Sequence, residues 1–211
     1  MSIFKEETIF KDRVDAGQKL SRVLSKYQNK NLLVLGIARG GAIVGKEVAR
    51  NLNADFDIII AKKLPYPDDP EAGFGAVAED GSYVFLPDMS PGKEEVERIK
   101  DEQVEEIKRR IAVLRGGRDI KQIEGKVVIL VDDGMAMGMT LQAAIKMCRK
   151  KKASFVVAAV PVTSFGTSEL VRPMVDELIV LEMPAFFIAV AQGYEHWYDV
   201  SDEEVIEVLK R

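Results

Sequence analysis

The chain has 211 residues, a formal net charge of −4 and 47% hydrophobic residues, values typical of one globular domain that buries its own core. A single cysteine, Cys148, and a single histidine, His196, exclude an intrachain disulfide, a cysteine-rich zinc site and a metal site built on paired histidines. The chain has no excess of basic residues, no apolar run long enough to cross a membrane and no apolar signal-peptide core near Met1. We therefore expect a cytoplasmic protein that binds neither nucleic acid nor membrane.

Short apolar runs alternate with helical patterns along the chain. In the first half, the predicted elements are a helix over 12–28, a strand over Leu32–Ile37, a helix over 41–52, a strand over Asp57–Ala61, a loop over Leu64–Pro70, and a hairpin of Phe74–Glu79 and Ser82–Leu86 around Asp80–Gly81. In the second half they are a helix from Ser90–Pro91 to about Leu114, a strand over Lys126–Val131, a helix over 138–151, strands over Phe155–Val160 and Glu177–Leu181, and a helix capped by Ser201 that ends at Leu209. This alternation predicts an α/β fold with a mainly parallel sheet and flanking helices, in which ligands bind beyond the carboxyl ends of the strands.

The strand over Lys126–Val131 is followed by the most informative segment of the chain. Asp132, Asp133 and Gly134 come directly after it, and the next residues are Met135, Ala136, Met137, Gly138, Met139 and Thr140. A glycine-containing turn before a helix directs backbone N–H groups at an anion, and the helix dipole favours negative charge there. Carboxylates repel phosphate but accept hydrogen bonds from sugar hydroxyls, so the segment predicts a sugar-phosphate site. The alternative is an ordinary strand-to-helix turn in which an aspartate caps the helix.

The 13 residues Val128–Thr140 resemble the motif with which type I phosphoribosyltransferases bind phosphoribosyl pyrophosphate (PRPP). A subfamily known as predicted phosphoribosyltransferases is similar over nearly the whole chain. The further matching stretches, in order, are Phe10–Gly17, Arg39–Gly41, Lys62–Leu64, Gly75–Gly81, Val160–Val162 and Val200–Val205.

This resemblance implies a type I phosphoribosyltransferase fold in a single domain over 1–211. It implies a core over about 30–182, a small hood from about 1–28 and 183–211, and an inserted helix over about 91–115. The implied reaction is the Mg²⁺-dependent transfer of phosphoribose from PRPP to a nucleobase or related acceptor, with release of pyrophosphate. The implied partners are PRPP and that acceptor. The oligomeric state stays open, with a homodimer as one alternative because the fold often dimerises.

The resemblance also implies roles for individual residues. Asp132 and Asp133 would hold the ribose hydroxyls and Mg²⁺, directly or through metal-bound water. The 5′-phosphate would lie against the loop of Gly134, Met135, Ala136, Met137, Gly138, Met139 and Thr140. Pyrophosphate would be held by Arg39, Gly40 and Gly41, although Arg39 could instead pair with a surface carboxylate. Lys62 or Lys63 would neutralise the leaving pyrophosphate, and strand alternation predicts that the two lysines face opposite sides.

Met137 is the one departure from the motif, because the family usually has Thr or Ser there. The lost hydroxyl donor is worth about 1–3 kcal/mol where nothing replaces it.

Several further assignments stay open at this stage. Residues 64–86 are either a mobile loop over the reaction centre, with Glu71, Gly73 and Gly75 supplying an acid and hinges, or a static hairpin. The aromatic residues near the C-terminus either stack on the acceptor base or anchor the chain end; they are Phe186, Phe187, Tyr194 and Trp197. His196 is a proton acceptor or a surface residue, and Cys148 is expected to fill space within a helix.

Two other functions compete with the transferase. The segment Gly40–Glu47 fits the phosphate-binding loop of nucleoside triphosphatases in its glycine and lysine spacing. However, Glu47 stands where that loop needs a hydroxyl, and the apolar spacing places Gly45 and Lys46 inside a helix. The second alternative is a non-catalytic protein of the same fold that binds PRPP or a nucleotide for regulation.

Overall fold

The computed structural model describes residues 9–70, 72–86, 88 and 90–210. Its strands are β1 (Leu32–Ile37), β2 (Asp55–Ile59), β3 (Ala61–Pro65), β4 (Gly73–Ala78), β5 (Tyr83–Phe85), β6 (Val127–Val131), β7 (Phe155–Val162) and β8 (Glu177–Glu182). Its helices are α1 (Arg13–Leu24), α2 (Gly40–Leu52), α3 (Lys93–Arg115), α4 (Met139–Lys150), α5 (Phe165–Val171) and α6 (Asp202–Lys210). None of the helices within these ranges is both long and apolar enough to cross a membrane.

The larger sheet has five strands in the order β2-β1-β6-β7-β8, and each neighbouring pair is parallel. Its central strands are apolar throughout because helices cover both faces of the sheet. All six residues of β1 are buried, and so are Val128–Val131 of β6. The α/β expectation is therefore confirmed.

The strand order reverses between β1 and β6, because the chain passes outward from β1 to β2 on one side and from β6 to β7 and β8 on the other. Ligands in open parallel sheets bind where the order reverses. The residues that follow these two strands, from Ala38 and from Asp132, therefore begin next to each other at the carboxyl edge.

The smaller sheet is antiparallel, with the order β3-β4-β5, and here the structure corrects the sequence prediction. The strand predicted over Asp57–Ala61 is in fact two strands, since β2 ends at Ile59 and β3 begins at Ala61. Lys62 and Lys63, predicted to follow the second strand, thus lie within β3, and this strand also includes Leu64 and Pro65 of the predicted loop. The apolar run is continuous across the bend, so the sequence does not show where the chain changes sheet. The predicted hairpin is present, with Gly81 at φ +81° in its turn.

The structure also differs from the prediction at some element boundaries and in one additional helix. Helix α3 is capped by Gly92 rather than by Ser90, and β7 continues to Val162. Helix α5 was not predicted; the Ser164 side chain caps it by accepting a hydrogen bond from the backbone N–H of Thr167. The short helix is polar around its cap and carries no apolar periodicity that distinguishes it from a loop.

The described parts of the two chain ends lie together. The Phe10 N–H donates to the Gly193 carbonyl (2.9 Å), and the Glu195 N–H donates to the Phe10 carbonyl (2.8 Å). The rings of Phe10 and Tyr194 pack at 5.7 Å between centroids. These contacts join the two ends from residue 9 onward. The hood itself stays a prediction, and its residues 1–8, like the acid Glu71, lie outside the described residues.

Candidate functional site

The loop from β6 to α4, residues 132–138, is held in place from the β7 side. The Met135 N–H donates to the Val162 carbonyl at 2.9 Å. The Thr163 hydroxyl donates to the Met135 carbonyl at 2.6 Å, and the Thr167 hydroxyl donates to the Ala136 carbonyl at 2.7 Å. No local sequence signal marks these two threonines, because their partners are backbone atoms of a distant segment.

This loop forms the wall of a cleft of about 410 Å³. Gly138 is the N-cap residue of α4 and has the left-handed conformation, at φ +73°, which a residue with a side chain rarely adopts. The first N–H groups of α4 lack partners within the helix and are available to an anion at its N-terminus. Eight of the nine residues from Asp132 to Thr140 line the cleft, and Asp133 does not. The other lining residues are Lys63, Tyr66, Ala72, Gly73, Gly75, Leu141 and Val190.

The two aspartates have different environments. Asp132 lines the cleft, and its Oδ1 accepts a hydrogen bond from the Asp133 N–H at 2.9 Å. The Asp133 carboxylate instead forms an ion pair with Arg13 (Nε–Oδ2 2.8 Å), in which the side chains are 4% and 14% exposed. Burial and the neighbouring charge of Asp133 raise the pKa of Asp132 well above its usual value. Burial also raises the pKa of Asp133, and Arg13 opposes this effect.

Arg13 is the residue of the candidate site that sequence reasoning missed. Its Nη1 donates to the Tyr198 carbonyl at 2.9 Å, and its guanidinium lies 4.0 Å from the centre of the Trp197 ring. Its only sequence signal is its position within the family-like stretch Phe10–Gly17. A charged residue in the first turn of a helix otherwise looks like part of a solvated face.

Arg39 and Lys62 point away from the cleft. The Arg39 guanidinium is 38% exposed and lies 3.5 Å from Asp202 of α6, which matches the surface-pair alternative for this residue. The Lys62 ammonium lies 3.7 Å from Glu106 of α3, and burial together with Arg110 lowers the pKa of Lys62. Lys63 lines the cleft, so the lysines face opposite sides of β3, as alternation predicts.

Gly40 and Gly41 lie against the acidic pair. A Cβ atom on Gly40 would come within 1.8 Å of Asp133 Oδ2, and one on Gly41 within 2.6 Å of the Val131 carbonyl. These glycines therefore allow the start of α2 to approach the end of β6. Gly45 and Lys46 lie inside α2, so this segment does not form the phosphate-binding loop of a nucleoside triphosphatase.

The aromatic residues of the C-terminal segment divide into two groups. Tyr194 is buried, and its hydroxyl donates to the Asp133 carbonyl, while Trp197 packs against Arg13. These contacts favour an anchoring role. Phe186 is 78% exposed, and Phe187 packs beside Phe10 and Tyr194. His196 is exposed, and Cys148 is buried in α4 as expected.

Among the described residues, no group of three or more His, Cys, Asp or Glu side chains is placed to hold a metal ion. Asp132 is the one carboxylate residue among those that line the cleft. Mg²⁺ is commonly bound through one or two carboxylates together with water and substrate oxygens. The donor set at the cleft therefore fits this ion and does not fit one that needs a cage of protein ligands.

Comparison with known proteins defines the class. The family model "Phosphoribosyl transferase domain" matches residues 8–195, and the chain belongs to this family. Two curated relatives, each named "Putative phosphoribosyl transferase", from Mycobacterium tuberculosis strains H37Rv and CDC 1551, are 38% identical over 210 residues, which is 96% of this chain and 47% of each relative. The chain thus spans about half the length of the curated relatives it matches.

Solved structures agree with this assignment. The crystal structure of TT1426 from Thermus thermophilus is 34% identical, with a TM-score of 0.81, and the match covers 95% of this chain and 97% of that one. The purine phosphoribosyltransferase from Pyrococcus horikoshii Ot3 shares the fold at 18% identity, with a TM-score of 0.50 and coverage of 90% and 93%. The expected type I phosphoribosyltransferase fold is confirmed.

Proposed function

We propose that this chain binds PRPP beyond the carboxyl end of β6 and transfers its phosphoribosyl group to a nucleobase-like acceptor. The observation that carries this proposal is one shared cleft, which is lined by Asp132, the N-terminal residues of α4 and Lys63. A sugar phosphate presents an anionic end and a hydroxyl-bearing ring, and the cleft offers a matching group to each.

The 5′-phosphate would bind at the N-terminus of α4. Backbone N–H groups of the loop and the Thr140 hydroxyl are the available donors, and the helix dipole favours the negative charge. The Met137 side chain supplies no donor and is 53% exposed.

The ribose would lie against Asp132. A carboxylate accepts hydrogen bonds from two adjacent hydroxyls, and its negative field favours a sugar ring that gains positive charge as pyrophosphate leaves. In the reaction, the bond from the anomeric carbon to pyrophosphate breaks, a bond to the acceptor nitrogen forms, and that nitrogen gives up its proton.

Lys63 is the lysine placed to meet the departing pyrophosphate, since it lines the cleft. Asp132 would hold Mg²⁺, and Asp133 would act on it through water, because its carboxylate is engaged by Arg13. When bound, the ion would screen the negative charge that develops on pyrophosphate.

Calorimetric titration of PRPP, with and without Mg²⁺, tests the proposal. We expect Mg²⁺-dependent binding that Asp132→Asn abolishes without unfolding the chain, while the exposed control Asp119→Asn binds like the wild type. The double change Asp132→Asn with Asp133→Asn should also abolish binding, but it leaves Arg13 without its partner, so the single change is the cleaner test. Unchanged PRPP affinity in Asp132→Asn would refute the site.

Binding of PRPP without turnover is the second candidate function. It is favoured by the Arg39 side chain, which pairs with Asp202 instead of facing the cleft, and by Met137 in the phosphate loop. Incubation of the protein with PRPP, Mg²⁺ and a panel of purine and pyrimidine bases separates the two functions. Release of pyrophosphate with any base supports the transferase, whereas tight binding with no release supports the regulatory protein.

A further inference from the structure

Arg13 connects the acidic pair to the C-terminal segment Gly193–Tyr198. On one side it forms the buried ion pair with Asp133 at 2.8 Å. On the other it donates to the Tyr198 carbonyl and lies over the Trp197 ring. A second connection runs in parallel, since the Tyr194 hydroxyl donates to the Asp133 carbonyl.

We infer that Arg13 is a positioning residue, which turns the Asp133 side chain away from the cleft and couples the C-terminal segment to the sugar-binding end of β6. The inference rests on the proposed function, because it assigns different tasks to the two aspartates of one PRPP site. Asp132 meets the sugar, and Asp133 transmits the position of the C-terminal segment.

The geometry explains why an arginine is needed for this task. A guanidinium is planar, so it can stack on an indole ring while its edge N–H groups bind a carboxylate and a carbonyl. The Arg13 side chain is 4% exposed, and a buried, desolvated pair holds its partners more firmly than an exposed one. A lysine at this position keeps the charge but cannot make all three contacts.

The coupling can be measured without any ligand. Trp197 is the sole tryptophan of the sequence, so its fluorescence reports directly on the Arg13 contact. Asp133→Asn keeps the backbone carbonyl that Tyr194 binds and weakens only the connection through Arg13. We expect Asp133→Asn and Arg13→Gln each to shift the Trp197 emission, with no shift in the remote control Arg149→Gln, which removes an exposed pair with Asp176.

The second measurement is PRPP affinity in the same variants with Mg²⁺ present. Loss of an outer partner of a metal site typically weakens binding by about 10–100-fold. Arg13 holds Asp133, whose N–H donates to Asp132, so we expect a loss in this range for Arg13→Gln. Arg13→Lys should recover part of the affinity. Arg13→Gln leaves the buried Asp133 carboxylate unpaired, which would lower stability. The double variant Arg13→Gln with Asp133→Asn therefore serves as a folded reference, because removing both partners of a buried pair costs less stability than removing one.

The outcomes separate the two proposals. An unchanged Trp197 emission in Asp133→Asn overturns the coupling, whether or not PRPP binds. Wild-type affinity in Arg13→Gln also overturns it. Absence of PRPP binding in the wild type defeats the proposed function, and the fluorescence result then decides the coupling by itself.

Discussion

Two buried arginine–carboxylate pairs in this molecule have nearly the same N–O separation and different surroundings. Arg13 and Asp133 are 2.8 Å apart, with side chains 4% and 14% exposed, and Arg115 and Glu79 are 2.9 Å apart, with side chains 1% and 6% exposed. Arg115 ends α3, and Glu79 follows β4 and also accepts from the Ile60 N–H at 3.1 Å. This second pair fastens α3 to the bend where the chain passes from one sheet to the other.

The difference lies in what each pair adjoins. The Arg13 pair adjoins Asp132 and the cleft, so disturbing it should change ligand binding. The Arg115 pair adjoins the bend and the bidentate pair of Arg118 with the fully buried Asp57, so disturbing it should change stability. A buried ion pair is therefore not by itself a sign of a functional site.

Arg115→Met should have the largest effect. It leaves the Glu79 carboxylate buried without its partner, and breaking a buried pair in this way costs about 3–5 kcal/mol of unfolding free energy. Urea denaturation measures this loss, while the PRPP affinity of the folded protein should stay at the wild-type value. The control Arg149→Met removes a pair whose side chains are 39% and 32% exposed and should cost about 1 kcal/mol or less. Equal losses in the two variants would contradict the comparison.

Gly40→Ala should have an intermediate effect, concentrated on ligand binding. The added methyl would come within 1.8 Å of Asp133 Oδ2, so Asp133 must move relative to Arg13. Overpacking of this kind costs about 1–3 kcal/mol. We expect weaker PRPP binding by calorimetry, together with a shift of Trp197 emission. Gly166→Ala is the matched control, because a methyl there meets no atom within 4 Å; a similar loss of affinity in both variants would show that the contact is unimportant.

Met137→Thr should have the smallest effect and the opposite sign. It restores a hydroxyl at the phosphate loop, and a hydrogen bond of this kind contributes about 1 kcal/mol. The Met137 side chain is 53% exposed, so the core is unchanged and PRPP should bind more tightly. The control Met183→Thr replaces another exposed methionine, 45% exposed, and should not change the PRPP affinity. No gain in Met137→Thr would mean that the phosphate already has its full set of donors.

The parallel core was predictable because its signals are local. Strands β1 and β6 are short apolar runs bounded by polar residues, and the loop after β6 carries acids and glycines in a recognisable order. The candidate site residues Asp132–Thr140 follow from this pattern together with the parallel-sheet rule. The roles assigned to Asp132, Lys63 and Mg²⁺ stay predictions until ligand binding is measured.

What the sequence did not reveal depends on contacts between distant segments. Arg13 meets the Tyr198 carbonyl across 185 residues of chain, and no local pattern marks it as buried. Strand β3 contains Lys62 and Lys63 and ends in a proline, so it has little strand propensity of its own and is fixed by pairing with β4. Helix α5 was missed because it is short and is specified mainly by its cap.

The two threonines behind the phosphate loop determine how that loop meets a ligand. Thr163 and Thr167 hold the carbonyls of Met135 and Ala136, and in a trans peptide the N–H points opposite to its carbonyl. The N–H groups of Ala136 and Met137 are thereby directed away from β7 and α5. An arriving phosphate would then find its donors already oriented, so little reorganisation energy is needed at the moment of binding.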